Sequence, residues 1–398
     1  MTIMLEDSLR QMLTARVETP PVADDVASRV IRHGRVARRR RAAASLIAVS
    51  AALVLVVGGV MSLGGGWLTG DRGATSVAGF NADGIEPDLS APVETTTAPG
   101  VDTGIGLDIR SGDQLWTTDG RRLPLSGVGE VTRVYRVPAG WVYAGVDKVR
   151  FLRTDGSSLS LSGEHGRWVL SADGERFAFQ LGATLYLAKL TSNGMAVLGD
   201  VPVPAGSWPV ALTGDRAVIS EGGRGYAVVD LAEPVPPAPN AEVTAIYGVR
   251  GNDLLGLVAG KDNSTHCLAR LTATAGRLAP SGGGACEFGP AGSPSGAGLE
   301  VSGDGMAPDG AWLAARRGTE VSVIDVGKAL DGRTVAVDCP GDALVDPVWA
   351  DSRTVVTGND QSVVRCATDG TEQTMPLPEG VNESWQLVPR LMAGPTGQ

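Results

Sequence analysis

Seven short strand-like stretches recur along this chain of 398 residues, and their spacing constrains the fold more than any other feature. They begin at Gln114, Val149, Leu185, Tyr226, His266, Val321 and Val363, so successive starts lie 35, 36, 41, 40, 55 and 42 residues apart. The one long interval holds a Gly/Ser/Pro-rich insertion, Ser281 to Gly298. Each stretch is apolar or β-branched, and no segment after residue 63 sustains a 3.6-residue apolar period. With 55 glycines and 24 prolines as punctuation, the pattern predicts many short strands joined by tight turns, an all-β domain.

A repeat of roughly 40 residues is the length of a four-stranded propeller blade. A second element, a strand, a tight turn and another strand, precedes most of the recurring stretches, in the runs that start at Trp168, Pro209, Met306 and Pro347. In these residues the chain resembles the WD-repeat-like and TolB-like β-propellers, whose blades carry a Ser-Pro-Asp-Gly type of turn before an apolar strand. Ala307-Pro308-Asp309-Gly310 comes nearest to that turn, and the Gly-His and Trp-Asp dipeptides of true WD repeats are missing. The resemblance covers about residues 107 to 391 and implies a fold rather than an activity. Seven blades are expected, with six or eight as the alternatives. Too few residues precede Gln114 to supply a whole blade, while Val381 to Met392, with Trp385, Leu387 and Val388, is left over after the seventh stretch. The two ends are therefore expected to share one sheet, which removes the open edges of a broken ring.

Ahead of the repeats, Arg38 to Arg41 are followed by Ala42 to Leu63, 22 residues without a charge. As a helix that run spans roughly 33 Å, enough for a bilayer core. It reads as a single transmembrane helix, residues 42–63. The arginines on its flank place residues 1–41 in the cytoplasm and everything after residue 63 outside the cell membrane. A cleavable signal peptide is the rival, but its apolar core is usually about 7 to 15 residues and does not follow so long a charged segment. In the basic tail, Leu5, Leu9, Met12, Leu13 and Val17, then Val22, Val26, Val30 and Ile31, recur at helical spacing on either side of Pro20 and Pro21. Two short amphipathic helices are expected there, facing a cytoplasmic protein, the inner leaflet or a second tail; a mostly disordered tail is the alternative. Residues 64–106, rich in Gly, Thr and Pro, read as a flexible linker, and 107–392 as the extracytoplasmic propeller.

Residues 1–41 hold nine Arg and five Asp/Glu, a net of +4, so against −10 for the whole chain the remainder carries −14. So acidic an outer domain argues against nucleic acid as a partner. Thirty arginines against four lysines suit a bacterial chain of high-GC coding. Cys267, Cys286, Cys339 and Cys366 all fall on the outer side, where disulfides persist. Three pairings are open; sequence proximity favours Cys267 with Cys286 and Cys339 with Cys366, and four unpaired core thiols are the alternative.

The search for chemistry returns no catalytic, metal or cofactor residue. His33, His165 and His266 are the only histidines and are far apart in sequence, a poor start for a zinc site. Gly256 to Asp262 has the wrong glycine spacing for a phosphate loop and Asp where Ser or Thr should hold magnesium. Asp119, Asp155, Asp173, Asp309, Asp331 and Asp369 each precede Gly, and hairpin turns explain those pairs better than calcium does. Trp116, Trp141, Trp168, Trp208, Trp312, Trp349 and Trp385 recur about once per blade, as packing between blades requires. The expected function is a membrane-anchored, non-enzymatic binding or sensing module for a protein or glycan ligand. A transmembrane regulator of anti-sigma-like layout, with the tail on a cytoplasmic partner, is the first alternative. An exported propeller enzyme, a hydrolase or dehydrogenase with its site assembled from distant blades, is the second.

Overall fold

A computed structural model describes residues 104–391 apart from 147, 163–166, 193, 233–234, 251–252, 261–264, 275, 290–297, 340–343 and 382–383. The tail with its expected helices, the apolar run 42–63 and the linker up to residue 103 lie outside the described residues. Among the described residues no helix is long and apolar enough to cross a membrane.

What is described is almost entirely antiparallel sheet. Arg133–Val137, Gly140–Ala144, Val149–Arg153 and Ser158–Ser162 form one four-stranded meander; Trp168–Leu170, Arg176–Leu181, Thr184–Thr191 and Gly194–Pro202 form the next. Val345–Trp349, Thr354–Gly358, Ser362–Ala367 and Glu372–Pro376 form another, and Ile109–Ser111, Gln114–Trp116 and Arg122–Pro124 make a sheet with the late strand Trp385–Leu387. The strands between Trp208 and Cys339 are hydrogen-bonded into a single twelve-stranded sheet. Its three parts, led by Trp208–Thr213, Val243–Arg250 and Leu299–Met306, touch through the bridge Ala227 to Arg277 and the short parallel pairing of Phe288–Gly289 with Leu299 and Glu300. Four-stranded units repeated around a shared centre make a β-propeller.

All seven recurring stretches of the sequence occupy the same place, the third strand out from the centre. That strand has hydrogen-bonded neighbours, and both its faces are covered by adjacent sheets. It reads as an apolar run rather than a strict alternation: Val149 to Leu152 and Ala227 to Asp230 are buried without a break.

The core is divided in the same way. Seven clusters of buried apolar side chains each join one strand group to the next. Phe151 and Val142 meet Phe177 and Trp168 in one; Leu187 and Val201 meet Leu212 and Ile219 in the next. The cluster of Ile109, Trp116, Val356, Trp385 and Leu387 joins the last group to the first. Ile105, within the span read as linker, is fully buried there, so packing begins before residue 107. Trp116, Trp141, Trp168, Trp349 and Trp385 are buried in these wedges, whereas Trp208 is 38% exposed.

Closure follows the expected route. Trp385–Leu387 pairs antiparallel with Ile109–Ser111, Ile109 opposite Leu387 and Ser111 opposite Trp385. The chain then adds itself to the neighbouring group: Arg136 N donates to Pro389 O at 2.8 Å and Leu391 N to Arg136 O at 2.8 Å. The buried Asp108 ties the seam, its Oδ2 accepting from Trp141 Nε1 at 2.7 Å and Arg136 Nη1 at 3.3 Å, and its carbonyl accepting from Val388 N at 3.0 Å. Trp385 seats because position 358 is glycine; a Cβ there would lie 2.8 Å from Trp385 Cη2.

The cysteines pair as Cys267 with Cys286 and Cys339 with Cys366. The second bridge runs from the outermost strand Ala336–Cys339 to Ser362–Ala367, so it staples two adjacent strand groups. Five of the Asp-Gly pairs turn between strands with Gly at positive φ. The sixth differs: Asp331-Gly332 closes the short helix Val326–Leu330 rather than a hairpin, with Gly332 N on Ala329 O and Arg333 N on Lys328 O. A helix end needs a left-handed residue just as a hairpin does, so the dipeptide alone could not separate them.

Ending the chain after residue 383 removes the innermost strand of one sheet and exposes the wedges on both sides of it. The single thermal transition expected of the full-length protein should be lost in the truncated chain, or that chain should aggregate. Trp385→Ala in the intact chain should cost about 3–5 kcal/mol in denaturant titration, the range for deleting a large buried aromatic.

Candidate functional site

A cavity of about 910 Å³ lies where the innermost strands meet. Its wall takes residues from seven of them, Arg133–Val137, Trp168–Leu170, Trp208–Thr213, Val243–Arg250, Leu299–Met306, Val345–Trp349 and Trp385–Leu387. In each meander the chain leaves the outermost strand on the side where the next innermost strand starts, so these strands all begin at one rim. Arg133, Arg167, Trp208, Leu344 and Asp346, which stand at or beside those starts, therefore belong to that rim; Arg390 and Leu391 lie past the end of their strand, toward the other.

Most of the residues around the wall are apolar, but more polar than apolar surface faces the hollow, and a few side chains supply its charged groups. Arg167 Nη1 donates to Ser207 O at 3.2 Å, which sets the guanidinium beside Trp208. Asp346 Oδ1 accepts from Arg316 Nη1 at 2.9 Å. Arg110 is buried, with Nη1 donating to Val131 O at 2.9 Å and Gly112 O at 3.1 Å; burial lowers its pKa and Glu130 opposes the shift.

Asp304 owes its position to an interrupted strand. Val301 still pairs with Ala315, but the register has shifted by the time Met306 meets Leu313, and residues 302–305 bulge from the ladder. Trp349 Nε1 pins the bulge by donating to Gly305 O at 2.7 Å. Tyr135 OH then donates to Asp304 Oδ2 at 3.4 Å, although two inner strands, Val345–Trp349 and Trp385–Leu387, lie between theirs around the ring. The bond therefore reaches across the cavity. Asp304 sits deep in the protein, with only the cavity's own space against its carboxylate, and burial pushes its pKa up to about 6. Tyr135 and Arg133 pull the other way, and Asp346 adds to the rise. Burial and the Asp304 charge also raise the Tyr135 phenol.

Among the described residues no group of three His, Cys, Asp or Glu side chains is arranged to hold a metal. His266 Nδ1 lies 3.1 Å from Thr244 Oγ1, and His33 and His165 are outside the described residues. Five of the Asp-Gly carboxylates, those of Asp119, Asp155, Asp173, Asp309 and Asp369, are occupied by their own turns, as in Asp309 Oδ1 with Ala311 N at 2.9 Å and Asp369 Oδ1 with Thr371 N at 2.9 Å. Gly256 is inside the strand Asp253–Ala259, paired on both sides rather than in a loop. The four cysteines are all in disulfides, away from the cavity wall. Sequence reasoning missed Tyr135, Asp304 and the rim arginines, which share no linear motif. Gly303-Asp304-Gly305 is the one local signal, since glycine inside a strand pattern marks a bulge.

No family model matches this sequence, and no curated protein matches it. Among solved structures it is similar to PorZ, a surface component of the type-IX secretion system of Porphyromonas gingivalis, at 12% identity and a TM-score of 0.40, over 64% of this chain and 34% of that one. It is also similar to AztD from Citrobacter koseri, at 15% identity and a TM-score of 0.42, over 71% and 97% of the two chains. For the β-propeller domain of Cps50 (Swd1) from Myceliophteria thermophila the values are 13% identity and 0.42, over 69% and 90%. The chain thus spans about a third of the length of PorZ, 34%. Likeness at this level assigns neither ligand nor activity to it.

Asp304 binds its proton more tightly folded than unfolded, its pKa moving from 3.8 to about 6. Across that window the folded state holds more protons, so this residue's contribution to stability falls as pH rises. Asp304→Asn keeps an acceptor for Tyr135 and removes the cost of the buried charge. Its stability relative to the parent protein should rise by about 2 kcal/mol between about pH 4 and about pH 8, read from denaturant titrations across that range.

Proposed function

We propose that this chain is a single-pass membrane protein whose extracytoplasmic domain, a seven-bladed β-propeller, is a non-enzymatic binding or sensing module that receives its ligand at the central cavity. The observation that carries this reading is the cavity itself. A hollow of about 910 Å³, lined by apolar and aromatic side chains together with convergent polar groups, has the concave, mixed lining on which small-ligand sites are built. The seven inner strands and the seven inter-group wedges support the blade count. The arginine flank and the uncharged run of 22 residues support the anchor and its orientation, and two disulfides suit an oxidising compartment.

Two measurements test this reading. A fragment mixture screened by ligand-observed NMR should yield binders to the wild-type protein that are lost when Leu170→Trp fills the cavity; binders indifferent to that variant would move the site elsewhere. Protease added to intact protoplasts should digest the propeller and spare an epitope placed before Arg29. Loss of that epitope would reverse the topology, and release of a fragment starting near Gly64 would show a cleaved leader.

The amphipathic spacing of residues 3–31 also favours a second role, a transmembrane regulator whose tail holds a cytoplasmic protein. A pull-down with the full-length protein, compared with one lacking residues 2–31, separates the two: a stoichiometric partner lost with the tail favours the regulator.

A further inference from the structure

The charge on the cavity wall runs against the charge of the domain around it. Outside residues 1–41 the chain carries −14, the whole-chain −10 less the tail's +4. Yet the cavity wall has four arginines, Arg110, Arg133, Arg167 and Arg390, against two aspartates, Asp304 and Asp346. Asp346 is already engaged by Arg316, and Asp304 accepts from Tyr135. Among the described residues Arg133 is exposed and within salt-bridge distance of no carboxylate, acting on the Asp304 charge only from farther off, and Arg167 spends one Nη on a backbone carbonyl. The rim therefore presents two guanidinium groups with donors to spare. Each offers a planar fork that matches two oxygens of a carboxylate or phosphate, which a lysine ammonium does not.

Trp208 is the second observation, independent of charge. It stands at the start of its inner strand, 38% exposed, while the tryptophans at the start of two other inner strands, Trp168 and Trp385, are 5% and 3% exposed. Its neighbour Ser207 is the residue whose carbonyl holds Arg167. An aromatic face open to water beside an arginine supplies the apolar half of a site whose polar half is the guanidinium pair.

We propose that this rim is an anion site: Arg133 and Arg167 hold the carboxylate or phosphate of a small organic ligand, and Trp208 covers its apolar or aromatic part. This rests on the cavity being the binding site and names the chemistry that enters it. Full-length protein in neutral detergent is titrated, by ligand-observed NMR, with benzoate, phenyl phosphate and uncharged benzyl alcohol. One anion should bind at least about tenfold more tightly than the alcohol and weaken as salt rises from about 50 to about 500 mM. Which anion binds more tightly tells carboxylate from phosphate. R133Q and R167Q, singly and together, should cost the anion about tenfold or more and leave the alcohol and the melting temperature unchanged, and W208A should weaken both. Equal affinity for anion and alcohol with sensitivity to W208A would overturn the anion assignment and leave the cavity standing. Failure of every probe to bind at about 10 mM would overturn both.

Discussion

No strand group in this domain has a core of its own. Each sheet is a single layer whose apolar faces are covered only by the sheets on either side, and the buried side chains fall into seven wedges that each belong to two groups. A layer covered in this way is stable only if the sequence of neighbours has no end, because an end would leave an apolar face in water. The run from Trp385 to Leu391 supplies the closing contact. It contributes Trp385 and Leu387 to one wedge, Val388 to a second and Leu391 to a third, and its backbone pairs first with Ile109–Ser111 and then with Arg136. Asp108, buried at that seam, collects donors from Trp141 and Arg136 of the neighbouring strand group and from Val388 of the C-terminal run.

The cavity is a consequence of that closure. Flat layers arranged in a ring cannot fill its axis, so the innermost strands surround a hollow and face it with whichever side chains point inward. Residues distant in sequence meet there. Tyr135 and Asp304 are 169 positions apart and share a hydrogen bond, and Arg167 is held by a carbonyl from the next group 40 positions on. The scaffold wedges are aliphatic and aromatic, whereas Arg133, Arg167 and Trp208 stand at the rim outside them, so a rim side chain can change with little effect on packing.

Much of the fold was legible in the sequence, for a physical reason. The third strand of each group is hydrogen-bonded to its neighbours and covered on both faces, so its composition is forced toward apolar and β-branched residues, and all seven stretches that stood out occupy that place. Innermost strands face the central hollow on one edge and a wedge on each side, which relaxes their pattern; Trp168–Leu170 is short and Leu299–Met306 interrupted. The cysteine pairing was legible because proximity in sequence coincided with proximity in the ring. Asp331-Gly332 was misjudged because a helix end and a hairpin ask for the same positive φ. The candidate site was not legible at all beyond Gly303-Asp304-Gly305, since ring closure creates its geometry and no local run of residues encodes that geometry.

Native-state hydrogen exchange tests the ring account most directly. If the inter-group wedges stand or fall together, the amides of Trp385–Leu387 and Ile109–Ser111 that pair across the seam exchange only through global unfolding. They then show the same opening free energy, and the same denaturant dependence, as the amides of Val149–Arg153 and Tyr226–Asp230 in the interior of other groups. Exchange of the seam amides through a separate opening, several kcal/mol cheaper and insensitive to denaturant, would show that the C-terminal strand peels away while the remaining groups hold, and would contradict the claim that closure sustains the fold.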